Sequence, residues 1–460
     1  DAYYSLGSDS SKLFENTKIA SDPDYEKYRN KYNVIHLDIS SVWDYHKEDL
    51  IESIEERVCE DFQKIYGDLL NYRRDFYLLI QDIYSLTGIP FVIIIDEWDC
   101  VIRNSHDQAL VHKYLQFLHS LFKSEESKSF LALGYITGIL PIKKIKDESA
   151  LNNFQEYTML DSYPITEYYG FTEKEVKDLC KDYSMDFETV KAWYNGYLID
   201  GEHMYNPNSV SQALERHKID SYWRNTSAFD TVNTFITMNY AGLKDDVMKM
   251  LTGGKVRINT NTFQNDFSII TSKDDALTAL IHLGYLGYDA DRKKSFIPNY
   301  EVATAFELAL QTGSWKEIAE SISKCDELLD ETIDGNAERV AELIELAHET
   351  YTSILKYNDE NALSCVLTMA YFTAPAYYNV IREMPSGKGF ADFVFLPRAN
   401  AGNRPAMIIE LKYNQSAETA LKQIKEKRYQ GALSGYQGKI LLVGINYDSE
   451  KHHTCMIEEL

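Results

Sequence analysis

The sequence lacks paired cysteines. Its 460 residues include only 6 Cys, and none of them forms a Cys-x-x-Cys pair. This scatter argues against a disulfide framework and against a zinc site, and it predicts a reducing, cytoplasmic setting. The cysteines stand at positions 59, 100, 180, 325, 365 and 455.

Long hydrophobic runs are also absent. Phe91–Ile95 is among the longest, and it is far shorter than the ~20 residues that span a bilayer as a helix. The chain starts at Asp1 and shows no basic, then apolar, then small-residue layout of a signal peptide. We therefore expect no membrane association.

Positive charge is scarce over most of the chain. The net charge is −24, whereas nucleic-acid binding needs Lys and Arg for phosphate contacts. Residues 1–379 hold 36 Lys or Arg against 62 Asp or Glu, but residues 380–460 hold 11 against 9. The objection to a nucleic-acid partner therefore does not apply to the C-terminal part, which contains a basic cluster of Lys422, Lys425, Lys427 and Arg428.

The first third of the chain alternates between strand and helix patterns. Apolar runs predict strands at Tyr32–Ile39, Phe91–Ile95 and Phe130–Ile136. Helix-like spacing predicts helices over about Lys47–Leu86 and Asp107–Lys123. The apolar runs Phe91–Ile95 and Phe130–Ile136 predict buried strands. Because strands alternate with helices, the pattern predicts a parallel sheet.

The middle of the chain predicts mostly helices. A helix start is indicated by Thr172 as N-cap with Glu175 three residues later. Residues 231–310 and the acidic stretch 315–356 also predict helices. We assign the aromatic segments Trp193–Tyr197 and Tyr222-Trp223 to core packing rather than to stacking on nucleic-acid bases.

The last hundred residues predict a compact α-β-β-β-α-β domain. The pair His452-His453 follows it, and we expect both side chains in solvent. The predicted elements are a helix at Asp359–Phe372, strands at Tyr377–Met384, Ala391–Leu396 and Pro405–Tyr413, a helix at Ala417–Leu433 and a strand at Lys439–Asn446.

Two carboxylates and a lysine converge in this order of elements. If the loop between the second and third strands centres on Ala401, Asp392 lies opposite about Glu410, with Cβ atoms about 5 Å apart. Glu410 and Lys412 are two residues apart and share a face of their strand. Two such carboxylates suit Mg²⁺, which activates water and offsets phosphate charge, and Lys412 would serve that water. Glu-x-Lys alone is commonly a surface ion pair, so this interpretation depends on the apolar residues around it.

These residues resemble the PD-(D/E)XK nuclease superfamily. The resemblance rests on Gly387-Lys-Gly-Phe-Ala-Asp392 and Ile408-Ile-Glu-Leu-Lys412 in the α-β-β-β-α-β order. It implies a restriction-endonuclease-like domain in which Asp392 and Glu410 bind Mg²⁺ or Mn²⁺ and Lys412 assists the attacking water.

The same resemblance implies three further site residues. Family members often have an acidic residue on the first helix, for which Glu360 is the candidate. Many also have a Gln and a Tyr on the later helix, and Gln423 and Tyr429 match these loosely. Their spacing of six residues departs from the spacing of four in some branches. A solvated helix position remains the alternative for Gln423, and core packing remains the alternative for Tyr429.

The front of the chain resembles an ATPase. Phe91–Ile95 followed by Asp96-Glu97 is similar to a Walker B strand, in which Asp96 would hold Mg²⁺ and Glu97 would polarise water. Thr137 resembles the polar sensor position, and a plain acidic loop is the alternative. The whole chain resembles bacterial proteins that join an AAA-ATPase-like region to a C-terminal PD-(D/E)XK domain. The motifs Tyr205-Asn-Pro207, Tyr222-Trp223, Leu283–Leu286 and Ile297–Glu301 fit this arrangement.

The phosphate-binding loop of an ATPase is missing. No G-x-x-x-x-G-K-[ST] occurs in the sequence. We expect this loop to precede Asp1 in a longer protein, so that ATP binds to the intact protein only. We expect little ATP hydrolysis by this chain.

These patterns predict a multidomain α/β and α+β protein, with two functions left open. The first is a metal-dependent nuclease acting on DNA or RNA under the control of the ATPase-like part. The second is a nucleotide-sensing regulatory protein that binds without cleaving and contacts protein partners through its acidic front. The predicted regions are a truncated P-loop-type α/β core (1–169), a helical lid and winged-helix-like region (170–310), a helical bridge (311–356) and the nuclease-like domain (357–460).

Overall fold

The computed structural model forms two compact units: Asp1–Thr158 with Phe263–Ile270, and Met159–Thr262 with Thr271–Leu460. No helix within the described residues is long and apolar enough to cross a bilayer. The described residues are 1–67, 76–105, 107–125, 127–141, 151, 153–223, 235, 240, 242–251, 253–263, 270–312, 324–355, 366–386, 389–398, 401–427, 433, 436–449 and 452–460.

The first unit contains a three-stranded parallel sheet in the order β1-β2-β3. Its strands are β1 (Asn33–Asp38), β2 (Phe91–Asp96) and β3 (Leu131–Ile136). β2 lies between the other two and is buried along almost its whole length, which explains its continuous apolar run. The prediction of a parallel α/β sheet is confirmed, but the prediction that β3 is buried is wrong, because Leu133 and Tyr135 on this outer strand are exposed. The helices of this unit are α1 (Ser11–Phe14), α2 (Tyr25–Tyr28), α3 (Ile39–Tyr45), α4 (Leu50–Tyr66), α5 (Phe76–Thr87), α6 (Cys100–Asn104), α7 (Gln108–Phe122) and α8 (Ser127–Phe130).

The core of the first unit forms around β2. Ile93 and Ile95 cluster with buried side chains from α4, α5 and α7. In α4 the buried residues recur every three or four positions, from Leu50 to Phe62, as expected for a helix with one apolar face. The packing fixes the sheet so that Asp38 and Asp96 lie in register at the carboxyl ends of adjacent strands.

The second unit begins with short helices and two small antiparallel sheets that were not predicted. The sheets have the orders β4-β6-β5 and β7-β9-β8. Their strands are two to four residues long, too short for an alternating pattern to show in the sequence. They are β4 (Phe171–Thr172), β5 (Tyr197–Ile199), β6 (Glu202–Tyr205), β7 (Val256–Arg257), β8 (Gly287–Asp289) and β9 (Lys294–Phe296).

The helices of this part include the predicted capping box. The Thr172 side chain accepts from the Glu175 backbone N–H, and the Glu175 side chain accepts from the Thr172 backbone N–H. This pair begins the first of eight helices in the described residues of the region. They are α9 (Glu173–Asp182), α10 (Phe187–Tyr194), α11 (Pro207–Arg216), α12 (Leu243–Leu251), α13 (Lys273–His282), α14 (Tyr300–Thr312), α15 (Cys325–Asp334) and α16 (Ala337–Leu355).

The aromatic segments of this region pack in the core, as predicted. Trp193, Tyr194, Tyr197 and Tyr222 are all at most 8% exposed. Glu301, at the start of α14, explains why the Tyr222-Trp223 turn is fixed: its Oε1 accepts the backbone N–H groups of both residues, at 2.7 and 3.0 Å. Burial raises the pKa of Glu301.

The C-terminal part of the second unit is a five-stranded mixed sheet in the order β10-β11-β12-β13-β14. β12 and β13 are parallel, and the other neighbours are antiparallel. A helical segment at 366–370 precedes the sheet, so the described elements follow the predicted α-β-β-β-α-β order, with one further strand. They are β10 (Tyr378–Ser386), β11 (Gly389–Pro397), β12 (Ala406–Tyr413), α17 (Ala417–Glu426), β13 (Ile440–Tyr447) and β14 (His453–Glu459).

The additional strand, β14, corrects the expectation for the histidine pair. His452 is exposed, but His453 is only 7% exposed. The Nε2 of His453 lies 2.9 Å from Nδ1 of His348 on α16. β14 was missed because its sequence, His-Thr-Cys-Met-Ile-Glu-Glu, has no clear alternation of polar and apolar residues.

Gly196 provides a test of the packing in the second unit. Its φ is +117°, and a Cβ there would meet the carbonyl oxygen of Pro298; Gly201 has φ +84° but open space around a Cβ. We expect Gly196→Ala to lower the free energy of unfolding by roughly 3 kcal/mol, and Gly201→Ala by about 1 kcal/mol. Urea denaturation followed by Trp fluorescence measures both. Equal losses would show that the backbone angle alone, and not the approach to Pro298, requires glycine.

Candidate active site

The β11–β12 hairpin positions the two candidate acidic residues. Its register pairs Phe393 with Ile409 at the end of the paired segment, and Asp392 and Glu410 are the next residues along the two strands. This register confirms the predicted hairpin centre at Ala401. Lys412 lies two residues beyond Glu410, and its Nζ is 2.9 Å from Glu410 Oε1, which shows that both side chains point to the same face.

Asp392 is held in place by the backbone of the opposite strand. The N–H of Leu411 donates to Asp392 Oδ2 at 2.7 Å. The carboxylate thereby accepts a bond from a main-chain donor that would otherwise need another partner. This contact fixes Asp392 beside the peptide that directly follows Glu410.

Glu410 is buried and engaged through one oxygen. It is 2% exposed, and Lys412 is 8% exposed. Oε1 accepts from Lys412 Nζ and from Gln423 Nε2 on α17. Lys412 also donates to the carbonyl of Leu411 at 2.8 Å. The structure therefore brings Asp392, Glu410, Lys412 and Gln423 together, and Gln423 is not a solvated helix position.

The environment of Glu410 favours its protonated form. Burial, and next the negative charge of Asp392, raise its pKa from 4.5 to about 7, although contact with Lys412 acts in the opposite direction. A carboxyl group in this state is ready to exchange its proton for a cation, because a cation would relieve both unfavourable effects.

Gly444 allows α17 to reach the site. It pairs with Glu410 in the β12–β13 register, and a Cβ on Gly444 would meet the carbonyl oxygen of Ala417 and lie 3.1 Å from the Ala420 Cβ. A side chain at this position would push α17 away from the sheet. The close packing is therefore what brings Gln423 to Glu410.

The residues present fit a divalent cation. Glu410 Oε2 is buried and has no hydrogen-bond partner among the described residues. Carboxylate oxygens are the ligands that Mg²⁺ and Mn²⁺ prefer. Within the described residues, no group of three or more His, Cys, Asp or Glu is arranged to hold a metal. The other predicted acidic residue, Glu360, and also Tyr429, lie outside those residues.

The three residues of the candidate nucleotide site, Asp96, Glu97 and Thr137, also lie close together. Thr137 Oγ1 donates to Asp96 Oδ1, and the Thr137 N–H donates to the carbonyl of Ile95 at 2.8 Å. Glu97 donates its N–H to Asp96 Oδ1 at 3.0 Å and has a left-handed φ of 54°. Asp96, Glu97 and Thr137 thus gather at the carboxyl end of the parallel sheet, where ligands of open α/β sheets bind.

Comparison with protein families gives a match for the region of the candidate nucleotide site and another for the region of the candidate active site. Residues 1–146 match the family described as "Predicted AAA-ATPase". Residues 358–457 match the PD-(D/E)XK nuclease superfamily. The chain therefore has an N-terminal region that is similar to predicted AAA-ATPases and a C-terminal region that is similar to the PD-(D/E)XK nuclease superfamily.

One curated relative adds a partial match without a described activity. It is the "Uncharacterized protein in vnfD 5'region" of Azotobacter chroococcum mcd 1, which is 26% identical over 160 residues. The alignment covers 34% of this chain and 30% of the relative, so the chain spans less than a third of that protein.

Sequence reasoning missed two residues of the AAA-ATPase-like region, Asp99 and Arg103. Asp99 is fully buried, and its carboxylate accepts the backbone N–H groups of Ile139 and Leu140 at 3.2 and 3.0 Å. It also accepts from Arg103 Nε at 2.8 Å, and Arg103 Nη2 lies 2.5 Å from Glu97 Oε2. The sequence signal for them was the spacing of four residues between Asp99 and Arg103, shortly after the Asp96-Glu97 pair.

The buried Asp99 should be essential for the stability of the first unit. We expect Asp99→Asn to lower its free energy of unfolding by roughly 3 kcal/mol, because Arg103 loses one of its two carboxylate partners and the loop after β3 loses a charged acceptor. Asp61→Asn, at an exposed ion pair with Lys64, should change it by less than about 1 kcal/mol. Thermal and urea unfolding compare the two variants, and equal effects would contradict the role given to Asp99.

Glu410 should make stability depend on pH in a defined direction. Its pKa of about 7 lies above 4.5, so between these values the folded state holds a proton that the unfolded state has lost. Stability should therefore fall as pH rises through this window, by up to roughly 3 kcal/mol at about 1.4 kcal/mol per pKa unit.

Urea unfolding in EDTA across that pH range measures the effect. Glu410→Gln cannot titrate and should flatten the dependence. Glu418→Gln, at an exposed position on α17, should leave it unchanged. A wild-type profile that rises with pH over this range would contradict the assignment.

Proposed function

We propose that the C-terminal domain is a Mg²⁺- or Mn²⁺-dependent phosphodiesterase that cleaves DNA or RNA. The observation that supports this most directly is the buried Glu410, whose Oε2 lacks a hydrogen-bond partner among the described residues. Asp392 lies on the neighbouring strand, and its charge raises the pKa of Glu410. A divalent cation would offset both carboxylates at this position.

The residues take different roles in this proposal. Asp392 and Glu410 would hold the ion, which when bound supplies an activated water and neutralises charge on the phosphate. Lys412 uses two of the three donors of an ammonium group, for Glu410 and the Leu411 carbonyl. Its third N–H can donate to a water or to a phosphate oxygen. Gln423 holds Glu410 from α17 and would help to orient the substrate, and Glu360 would complete the acidic set.

The AAA-ATPase-like region would control this activity. In the intact protein Asp96 would hold the magnesium of ATP, Glu97 would polarise the attacking water and Thr137 would sense the phosphate. We propose that 1–169 acts as the nucleotide-dependent core, 170–310 as its lid and winged-helix-like part, and 311–356 as the bridge to the nuclease-like domain at 357–460.

A second candidate function is supported by the charge distribution. Residues 1–379 hold 36 Lys or Arg against 62 Asp or Glu. Such an acidic region repels nucleic acid and suits protein partners. In this alternative the chain is a nucleotide-sensing regulator, and its C-terminal domain binds without cleaving.

The first test is metal-dependent cleavage by the purified chain. Single- and double-stranded DNA and RNA are incubated with Mg²⁺, Mn²⁺ or EDTA. We expect cleavage that requires metal and that falls at least roughly 100-fold in Glu410→Gln, because the variant loses a charge that the transition state needs. Glu418→Gln should cleave like the wild type.

Two results would count against the proposal. Cleavage that persists unchanged in Glu410→Gln would place the active site elsewhere. Binding of nucleic acid without cleavage of any substrate, with and without ATP, would favour the regulatory function instead.

A further inference from the structure

The basic cluster on α17 divides into lysines with different surroundings. Lys425 Nζ lies 2.5 Å from Glu458 Oε2 on β14, and Lys422 Nζ lies 3.7 Å from Glu426 on the same helix. Both lysines are about half exposed or more. Their charges are therefore balanced locally by carboxylates. Arg428, the last member of the predicted cluster, lies outside the described residues.

Lys427 stands on the side of the helix that faces the site. It is four residues after Gln423, and residues at this spacing lie on the same face of a helix. Gln423 donates to Glu410 Oε1, so this face is directed at the buried carboxylate. Lys427 is the C-cap, and its backbone N–H donates to the Gln423 carbonyl at 3.0 Å.

Lys427 stands at the C-terminal end of α17. Its position at the helix C-terminus suits a cation, because the unpaired carbonyls there bear partial negative charge. Lys427 is partly exposed to solvent.

A nuclease at this site would need a cation beyond Lys412. Lys412 is 8% exposed and is engaged with Glu410 and the Leu411 carbonyl. A polynucleotide presents several phosphates, and each flanking phosphate is normally met by a Lys, an Arg or a backbone N–H. A lysine on a flexible four-carbon stem can follow such a phosphate as a point charge.

We propose that Lys427 binds a phosphate of the substrate next to the scissile one, so that the Gln423–Lys427 face of α17 forms one wall of the nucleic-acid groove. This inference rests on the proposed nuclease function for its substrate. It assigns a phosphate-binding residue, whereas the chemistry of cleavage stays with Asp392, Glu410 and Lys412.

The test compares Lys427→Ala with Lys422→Ala, which removes a lysine from the same helix. Affinity for a fluorescent oligonucleotide is measured by anisotropy in Ca²⁺, over a series of salt concentrations. We expect Lys427→Ala to weaken binding about tenfold and to reduce the slope of log K against log salt by about 1, as for one lost phosphate contact. Lys422→Ala should change neither, and Lys427→Arg should restore the slope.

Cleavage kinetics give a second readout. A contact made equally in the bound substrate and in the transition state raises KM and leaves kcat unchanged. We therefore expect Lys427→Ala to raise KM about tenfold at nearly constant kcat. Thermal unfolding of each variant, with Lys427→Gln as a second neutral substitution, separates a lost contact from a damaged fold.

The outcomes distinguish this inference from the proposed function. Wild-type binding with the expected slope change, but without cleavage, supports Lys427 as a phosphate contact and refutes the nuclease. Wild-type cleavage with identical salt slopes for Lys427→Ala and Lys422→Ala refutes the role of Lys427 alone. Absence of wild-type binding to any DNA or RNA overturns both.

Discussion

Glu410 is a carboxylate inside an apolar sheet, and the surrounding structure is organised to tolerate its burial. Ile409 and Leu411, its neighbours on β12, are at most 1% exposed, and an unaccompanied charge among them would be strongly unfavourable. Lys412 and Gln423 both donate to Oε1, which offsets part of the lost hydration. The cost of burial that these two hydrogen bonds do not offset, together with the charge of Asp392, raises the pKa of Glu410.

Two other buried acids, Asp99 and Glu301, differ from Glu410 in how their oxygens are used. Both oxygens of Asp99 accept backbone N–H groups, and one also accepts from Arg103. Glu301 likewise accepts two backbone N–H groups from one turn. These acids fix loops and are satisfied by doing so. Glu410 differs because one of its oxygens remains without a hydrogen bond among the described residues, beside a second carboxylate, and that arrangement is suited to a ligand.

The sequence predicted the helices and strands that are long enough to show a periodic pattern of apolar residues. The register expected from strand alternation and from a loop centred on Ala401 agrees with the pairing of the neighbouring Phe393 with Ile409. The small sheets and β14 were missed, because two to four residues, or a strand of mixed polarity, give no periodic signal. Asp99 was missed for a different reason: its partners, Ile139 and Leu140, are distant in sequence and contribute only backbone N–H groups, which no side-chain pattern reveals.

The charge distribution gives a physical reason for control by a second region. Several lysines of the C-terminal domain are paired within it, Lys425 with Glu458 and Lys439 with Glu459. Among the residues that the structure describes, the charges of these two lysines are offset by carboxylates, while residues 1–379 are strongly acidic. The acidic residues add nothing to the attraction of phosphates. A nuclease whose lysines are offset in this way would bind nucleic acid more weakly by itself. Efficient cleavage would then require that something else brings or holds the substrate, and a nucleotide-dependent region is suited to that task because it can change state.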